Sequence, residues 1–223
     1  MELTKEQLLQ IDNYVYVCGI KYYDVRMEIV DHFANILEQK LDKNPNLNFK
    51  KEIENIHKSF SDRGFSKLLE DKTKAVTKKF YRQSLQHLIT FFKVPKIIIS
   101  VILFAFIYFG LDYFEERVTF FNIIKGITLL LAFRLLFNVN LRDTKKETFL
   151  SLNMTLSFFN VFYMLYFILE IIDDTTFINL LGSWDNIFYS IYCLFIILFY
   201  WSGEYVYYQN KKLIKQQYPN ILV

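Results

Sequence analysis

Cysteine, proline and glycine are scarce in this 223-residue chain, which has two, three and six of them. Cys18 lies in a polar stretch and Cys193 in an apolar run, so we expect no disulfide framework. No proline falls in the core of a long apolar run, which argues against the broken helices that form substrate sites in transporters. The first residues also lack a basic segment followed by an apolar one, so no cleaved secretory signal is expected.

Sequence motifs for catalysis are missing as well. The chain has no Ser/His/Asp set, no Cys/His pair and no glycine-rich phosphate-binding loop, and its long apolar runs hold no paired carboxylates. We therefore expect a protein that is not an enzyme, with no cofactor and no catalytic residue. A membrane enzyme is the third alternative, and it would require Asn153, Asn160, Asp31 and His32 to converge.

Apolar residues are abundant instead, at 53% of the chain, and aromatic residues make up 19%. A helix needs roughly 20 mostly apolar residues to cross about 30 Å of hydrocarbon. Four segments meet this length, and a soluble protein of this size could not cover them all. The sequence therefore predicts an all-α fold with four transmembrane helices. They are expected at about 95–114, 118–139, 149–172 and 184–208, within a membrane domain over 95–208.

The charges of the connections predict the orientation of these spans. Lys and Arg collect before the first span, between the second and third, and after the fourth, whereas the other two connections are acidic. Because basic loops stay in the cytoplasm, both termini are expected there, including the tail over 209–223. The many Lys, Asn, Ile, Phe and Tyr residues are typical of an AT-rich bacterial genome. We therefore predict a multi-pass protein of the bacterial inner membrane.

Two cations interrupt the second span. Lys125 lies near its outer end and Arg134 near its cytoplasmic end, nine residues apart and so on opposite sides of the helix. At these depths a long side chain can extend its charge to the interface. A sharper interpretation is two ion pairs between helices, Lys125 with Glu170 and Arg134 with Glu204. Subunit assembly and transport are the remaining interpretations of these charges.

Before the first span, local side chains mark the first helix. Thr4 precedes Gln7 by three residues, which is a capping-box pattern, and Gly19 suits the position just after a helix end. The pattern predicts a helix of about 14 residues between them.

Two more helices and a connector follow. The second helix is expected to end before Asn44 and the third near Gly64. The three helices form a small cytoplasmic bundle over residues 1–64, and a long basic connector helix over 65–94 leads into the first span. The expected core positions are Ile29, Val30, Phe33, Leu37 and Leu41 in the second helix and Phe49, Ile53, Ile56 and Phe60 in the third.

Three stretches of this domain carry a family resemblance. They are LTKEQ at the start, EIVDHFANILEQKL in the second helix, and FSDRGFSKLLEDKTKAV after it. In this order they resemble the helical N-terminal domain of uncharacterised multi-span bacterial membrane proteins. They are also similar to the HAAS-type domains often encoded beside PadR-like transcriptional regulators. The resemblance implies a sensory or signalling role through protein contacts, and it implies no catalysis.

One polar cluster in the second helix is a candidate for chemistry. Glu28 and His32 lie four residues apart with Asp31 adjacent, so a carboxylate and an imidazole can face the same way. A zinc site would need more ligands, and His57 is the one plausible addition from a neighbouring helix. We therefore expect no metal, and expect Asp31 and His32 to make local hydrogen bonds or to cap a neighbouring helix.

The expected partners are the lipid bilayer and protein. The lysines of the basic connector would lie close to anionic lipid, whereas nothing there supplies a recognition helix or stacking platform for nucleic acid. The leading hypothesis is a non-enzymatic signalling or protein-interaction component whose residues 1–64 bind a protein partner or a second copy. The alternative is a subunit of a small transporter or channel for an anionic solute, with Lys125 and Arg134 facing its route.

Overall fold

The computed structural model of the protein describes residues 2–59, 64–114, 117–140, 147–173 and 184–221. Every regular element in these ranges is a helix, so the predicted all-α class is confirmed. Some side chains of the sixth and seventh helices, those of Arg134 and Glu170 among them, lie outside the described residues. The helices are α1 (Lys5–Val17), α2 (Tyr23–Lys43), α3 (Phe49–Ser59), α4 (Phe65–Thr90), α5 (Ile97–Tyr113), α6 (Arg117–Asn140), α7 (Leu150–Asp173) and α8 (Asp185–Gln217).

Both ends of α1 follow from local side chains. The Thr4 hydroxyl accepts a hydrogen bond from the Gln7 backbone N–H at 3.3 Å, and the Gln7 side chain accepts one from the Thr4 N–H at 2.8 Å. The predicted capping box is thereby confirmed. Gly19 follows the helix with a φ of 99°, a backbone conformation that glycine adopts without strain.

In α2, the core positions predicted from the sequence are buried. That helix ends at Lys43, just before Asn44, as the sequence predicted. In α3, Ile53 and Ile56 are buried and Phe49 is half-buried, while Phe60 lies outside the described residues. The five predicted core positions of α2 are all buried: Ile29, Val30, Phe33, Leu37 and Leu41.

The basic connector is a helix, α4, that ends at Thr90. The sequence predicted a connector over 65–94 followed by a span from about 95; residues 91–96 make turns, and α5 begins at Ile97. Pro95 accounts for the break, because proline has no backbone N–H to donate and disfavours helical backbone in the residue before it. The connector and the first apolar helix are therefore two separate elements.

The chain divides into two compact units. Unit 1 comprises Met1–Lys78, Lys145–Ser151 and Asn220–Val223, and unit 2 comprises Lys79–Thr144 and Leu152–Pro219. Helices α4 and α7 each contribute residues to both units. The last residues of the connection between α6 and α7 thus belong with the N-terminal helices.

Unit 2 is organised around α8. The Tyr192 hydroxyl donates a hydrogen bond to the carbonyl of Leu165 in α7, and the Tyr200 hydroxyl donates one to the carbonyl of Leu131 in α6, each at 2.7 Å. Helix α5 packs along α8 as well. Because a buried hydroxyl needs a partner, these tyrosines fix α8 against its neighbours in addition to filling space.

The four predicted apolar segments are the helices α5 to α8. Their ends lie within two residues of the predicted ones, except that α8 continues to Gln217 instead of ending at 208. By length and composition, one helix of the described residues, α8, is able to cross a membrane, and 56% of its most apolar stretch is buried inside the chain. Those two properties fit a membrane span and also fit a core helix.

Candidate functional site

A buried arginine stands at the centre of unit 1. Arg26 of α2 is only 3% exposed. Its Nε donates a hydrogen bond to Oδ1 of Asp12 in α1 at 2.5 Å, and its Nη2 donates one to Oε1 of Glu147 at 3.0 Å. Its Nη1 lies 3.4 Å from the carbonyl oxygen of Lys21. We call Arg26, Asp12 and Glu147 the Arg26 cluster.

Aromatic rings complete the surroundings of this cation. The guanidinium carbon of Arg26 lies 5.3 Å from the ring centres of both Tyr16 and Tyr23, within the range of a cation–π interaction. Burial by itself would lower the pKa of Arg26, but the hydrogen bonds and charges of Asp12 and Glu147 outweigh it and raise that pKa. Arg26 is therefore a permanent cation that contacts two carboxylates, one backbone carbonyl and two aromatic rings.

Next to the cluster, a short stretch of the α6–α7 connection is docked on the start of α2. The backbone N–H of Tyr23 donates to the carbonyl of Thr148 at 2.8 Å, and the Thr148 hydroxyl lies 3.1 Å from the carbonyl of Lys21. The ring of Phe149, which is 2% exposed, lies 5.5 Å from that of Tyr23. We call residues 147–150 the docked segment.

The first turn of α7 receives a cap from a different helix. Oδ1 of Asp24 in α2 accepts a hydrogen bond from the backbone N–H of Leu150 at 3.0 Å, and the Ser151 N–H also bonds this side chain. These N–H groups have no partner within their own helix, and a carboxylate suits the positive end of the helix dipole. Burial raises the pKa of Asp24 in spite of these bonds.

The docked segment is thus held by a cation on one side and capped by a carboxylate on the other. In the Arg26 cluster, the positive and negative groups satisfy one another, so the arrangement holds two stretches of chain together.

A second polar cluster of unit 1 surrounds His57. Its Nδ1 lies 2.8 Å from the Tyr14 hydroxyl and 3.9 Å from Sγ of Cys18, and its ring stacks on Phe65 with centres 4.1 Å apart. Burial lowers the pKa of His57 and raises the pKa of the Cys18 thiol. At neutral pH the ring is therefore uncharged and the thiol keeps its proton, which is not the state of an activated cysteine.

In unit 2, His87 of α4 joins the turn at residues 91–96 to α8. Nε2 of His87 lies 3.2 Å from Nζ of Lys96, which also bonds the Thr90 hydroxyl, and Nδ1 lies 3.4 Å from Oγ of Ser202. The ring stacks on Tyr205 at 3.9 Å. Burial, and then the charge of Lys96, lowers the pKa of His87. A neutral ring with its proton on Nδ1 satisfies both contacts.

The three residues of the polar cluster predicted in α2, Glu28, Asp31 and His32, are all exposed. Glu28 forms an ion pair with Lys72 of α4 at 2.5 Å, and Asp31 and His32 are exposed. His57, the further ligand considered for a metal, is bonded to Tyr14. Across the residues that the structure describes, no three His, Cys, Asp or Glu side chains are grouped so as to hold a metal ion.

Of the four residues proposed for intramembrane ion pairs, two have described side chains. Lys125 in α6 and Glu204 in α8 are both half-buried. The side chains of their proposed partners, Glu170 and Arg134, lie outside the described residues. The two pairs therefore stay predictions.

Sequence reasoning missed the Arg26 cluster, although a signal was present. Arg26 falls between Val25 and Ile29, on the face of α2 that the apolar pattern assigns to the core. A charge on a buried face needs a partner of opposite charge, so the pattern predicts an acidic residue nearby. It does not reveal that Glu147, from far along the chain, is one of the two.

No family model matches the chain, and neither a curated protein nor a solved structure matches it. The geometry of the chain's own residues is therefore the basis for a function.

Proposed function

We propose that this chain is a bacterial inner-membrane protein with four spans, α5 to α8, and that unit 1 is a non-enzymatic cytoplasmic signalling module that binds protein. The observation that carries the proposal is the docked segment. In the proposed topology it ends the cytoplasmic connection between the second and third spans, and the Arg26 cluster binds it to α1 and α2. A partner that binds unit 1 and changes this docking would bias α7, and the reverse coupling follows by linkage.

Exposed apolar side chains support the four spans. On α5, Ile102, Phe106 and Phe109 are 62%, 72% and 67% exposed. Leu130 of α6 is 71% exposed and Met164 of α7 is 60% exposed. Soluble monomers rarely leave large apolar patches open to water, whereas a bilayer surrounds such side chains with lipid tails. These exposed apolar side chains support α5, α6 and α7 as spans, just as length and composition support α8.

The lengths of the other helices are compatible with this architecture. Helices α6 and α7 have 24 residues each, which at about 1.5 Å per residue makes about 36 Å. Helix α5 has 17 residues, or about 26 Å. A span a few Å shorter than the hydrocarbon is accommodated at modest cost by local thinning of the bilayer.

The signalling role is supported by the character of the polar clusters and by the resemblance to HAAS-type domains. The buried charges of unit 1 bind one another, and His57 beside Cys18 is an uncharged ring beside a protonated thiol. Both arrangements suit a module that recognises protein. The exposed Lys67, Lys78 and Lys79 of α4 are the residues that we assign to anionic lipid, since Lys72 and Lys74 are paired with acids.

Cysteine labelling tests the topology. In a chain with Cys18→Ser and Cys193→Ser, the substitution Tyr113→Cys places a thiol at the end of α5, where the native side chain is 84% exposed. A membrane-impermeant maleimide should label it in intact spheroplasts. Native Cys18, which is exposed, should be labelled only after lysis in a Cys193→Ser chain. The opposite pattern would reverse the orientation, and labelling of both before lysis would exclude the topology.

Photo-crosslinking tests the binding role of unit 1. Benzoylphenylalanine at Val17, an exposed position of α1, should give adducts of defined mass in native membranes, whereas the same group at Tyr113 should not. Failure of Val17 to give any adduct would contradict a recognition surface there. An anion flux in reconstituted vesicles that is abolished by neutralising Lys125 and Arg134 would favour the alternative, a transporter or channel subunit.

A further inference from the structure

Helix α1 is apolar on two sides. Ile11 and Val15 are 0% exposed and belong to the core, while Leu9 and Val17 are 59% and 83% exposed. A helix on the surface of a small bundle normally presents polar residues on its outer side. Of these two, Val17 lines the groove between α1 and α3, where its exposed side chain is available to another molecule.

The exposed side of α1 borders a groove against α3. The groove has a volume of about 360 Å³, and Tyr14, Val17 and Ile53 supply its apolar lining. Lys50 and Glu54 of α3 line it with charge. Among the described residues, neither of these two forms an ion pair within the chain. The groove thus combines apolar surface with one positive and one negative group that are available to a partner.

The positions of these two charges point to the occupant. Lys50 and Glu54 are one helical turn apart, about 6 Å along the axis of α3. A two-fold axis that sets two copies of α3 antiparallel would bring Lys50 of each copy to Glu54 of the other. We propose that the α1–α3 groove binds the same groove of a second copy of this chain, with Val17 of each copy packed into the other. This inference rests on unit 1 being a recognition module and names its partner.

Confinement to a membrane favours such an interface. Two copies anchored in one bilayer, with unit 1 on the same side, meet at a much higher effective concentration than in solution. A small contact then suffices, so a modest apolar patch with two ion pairs can support association.

Charge reversal in the full chain tests this interface. Single Lys50→Glu and Glu54→Lys variants in lipid nanodiscs or mild detergent each create like-charge contacts across a two-fold axis, so the dissociation constant of the dimer should rise at least about tenfold. The double variant restores both pairs and should recover the dimer. A mixture of the two single variants should form heterodimers, because one copy then carries two acids and the other two bases. Subunit exchange followed by fluorescence energy transfer measures all four cases.

Lys51→Glu is the matched control, since Lys51 is an exposed neighbour that does not line the groove. It should leave the dimer unchanged. Val17→Asp should abolish the dimer by placing a charge in the apolar contact. The proposal is overturned if the wild-type chain is monomeric at all concentrations, or if the two single variants fail to favour each other. A Val17 photo-adduct with a different protein, without a dimer, overturns this proposal alone and leaves the proposed function standing.

Discussion

Arg26 contacts two carboxylates, those of Asp12 and Glu147. The substitution Arg26→Gln leaves Asp12 and Glu147 facing each other without a cation. Breaking a buried ion pair from one side costs 3–5 kcal/mol in general, and about 3 kcal/mol is expected here because both acids are partly exposed. Hydrogen exchange of the full chain should report this as a lower opening free energy for the start of α2 and the docked segment.

Lys72→Gln is the control for that measurement. It removes the Lys72–Glu28 ion pair, whose side chains are 39% and 59% exposed. Exposed pairs contribute 0 to about 1 kcal/mol, so exchange in unit 1 should barely change. Equal effects of the two substitutions would show that burial does not distinguish these pairs and would remove the special role of Arg26.

The lowered pKa of His87 predicts that the stability of the turn at residues 91–96 depends on pH. Its pKa is lower in the folded chain than the ordinary 6.5, so the unfolded state binds the proton more tightly. The stability that His87 contributes is therefore complete above about pH 6.5 and is lost as the pH falls through the lower folded pKa. A protonated Nε2 would also face the Lys96 ammonium, donor against donor. Exchange rates of the turn amides, corrected for their intrinsic pH dependence, should rise in that window.

Lys96→Met provides the check on this prediction. Without the ammonium the pKa of His87 should move up toward its ordinary value, and an NMR titration of the ring measures the shift directly. Outside its own helix the ring contacts Phe91, Lys96, Ser202 and Tyr205, and Lys96 is the one permanent charge among these four. An unchanged titration would mean that the Lys96 contact does not form.

At the scale of helices, the close approach of α7 to α8 depends on Gly203. A Cβ at this position would overlap the ring of Phe158, which is 1% exposed and packed at 4.7 Å from Phe199. Gly203→Ala should therefore lower stability by about 1–3 kcal/mol through overpacking, seen as a lower midpoint of thermal unfolding in detergent.

Gly126→Ala is the matched substitution on α6. Nothing lies within 4 Å of the added Cβ, and alanine is the better helix former by about 1 kcal/mol at most. The melting midpoint should therefore stay the same or rise. If Gly203→Ala behaves in the same way, α7 and α8 do not approach as closely as the structure indicates.

Helix ends were predictable because the side chains that make them are neighbours in sequence. Thr4 with Gln7, Gly19, and Asn44 act within a few residues of the backbone groups that they satisfy or interrupt. The connector helix was predicted to reach residue 94, whereas α4 ends at Thr90, and the cause is again local. Pro95 disfavours helical backbone in the residue before it, and the turn at residues 91–96 lies around it.

Contacts between distant residues were the part that sequence patterns could not supply. Glu147 reaches Arg26 across 121 positions, and Asp24 caps the first turn of α7 from another helix. Periodicity predicts which face of a helix is buried, but it carries no information on which partner covers that face. The contacts of the docked segment with α2 therefore could not be predicted from the sequence and required the folded structure.

On the scale of the whole molecule, helices α4 and α7 contribute residues to both units. Helix α4 runs from unit 1 into unit 2, and α7 begins in unit 1 at the docked segment and continues in unit 2. In the proposed topology, these are the helix that precedes the first span and the third span. For the proposed signalling role, we assign the Arg26 cluster and the Asp24 cap as the contacts that a partner would change.

The medium around the exposed side chains of the apolar helices shows whether these helices cross a membrane. Phe109 of α5 and Leu213 of α8 are similarly exposed, at 67% and 56%, yet only Phe109 lies within a proposed span. In a chain without Cys18 and Cys193, a nitroxide at Phe109 should collide more often with oxygen, which dissolves in lipid, than with a water-soluble nickel complex. At Leu213 the preference should reverse, because the last turns of α8 would lie in the cytoplasm. A nickel preference at both positions would place α5 in water and would exclude the four-span architecture on which the proposed function depends.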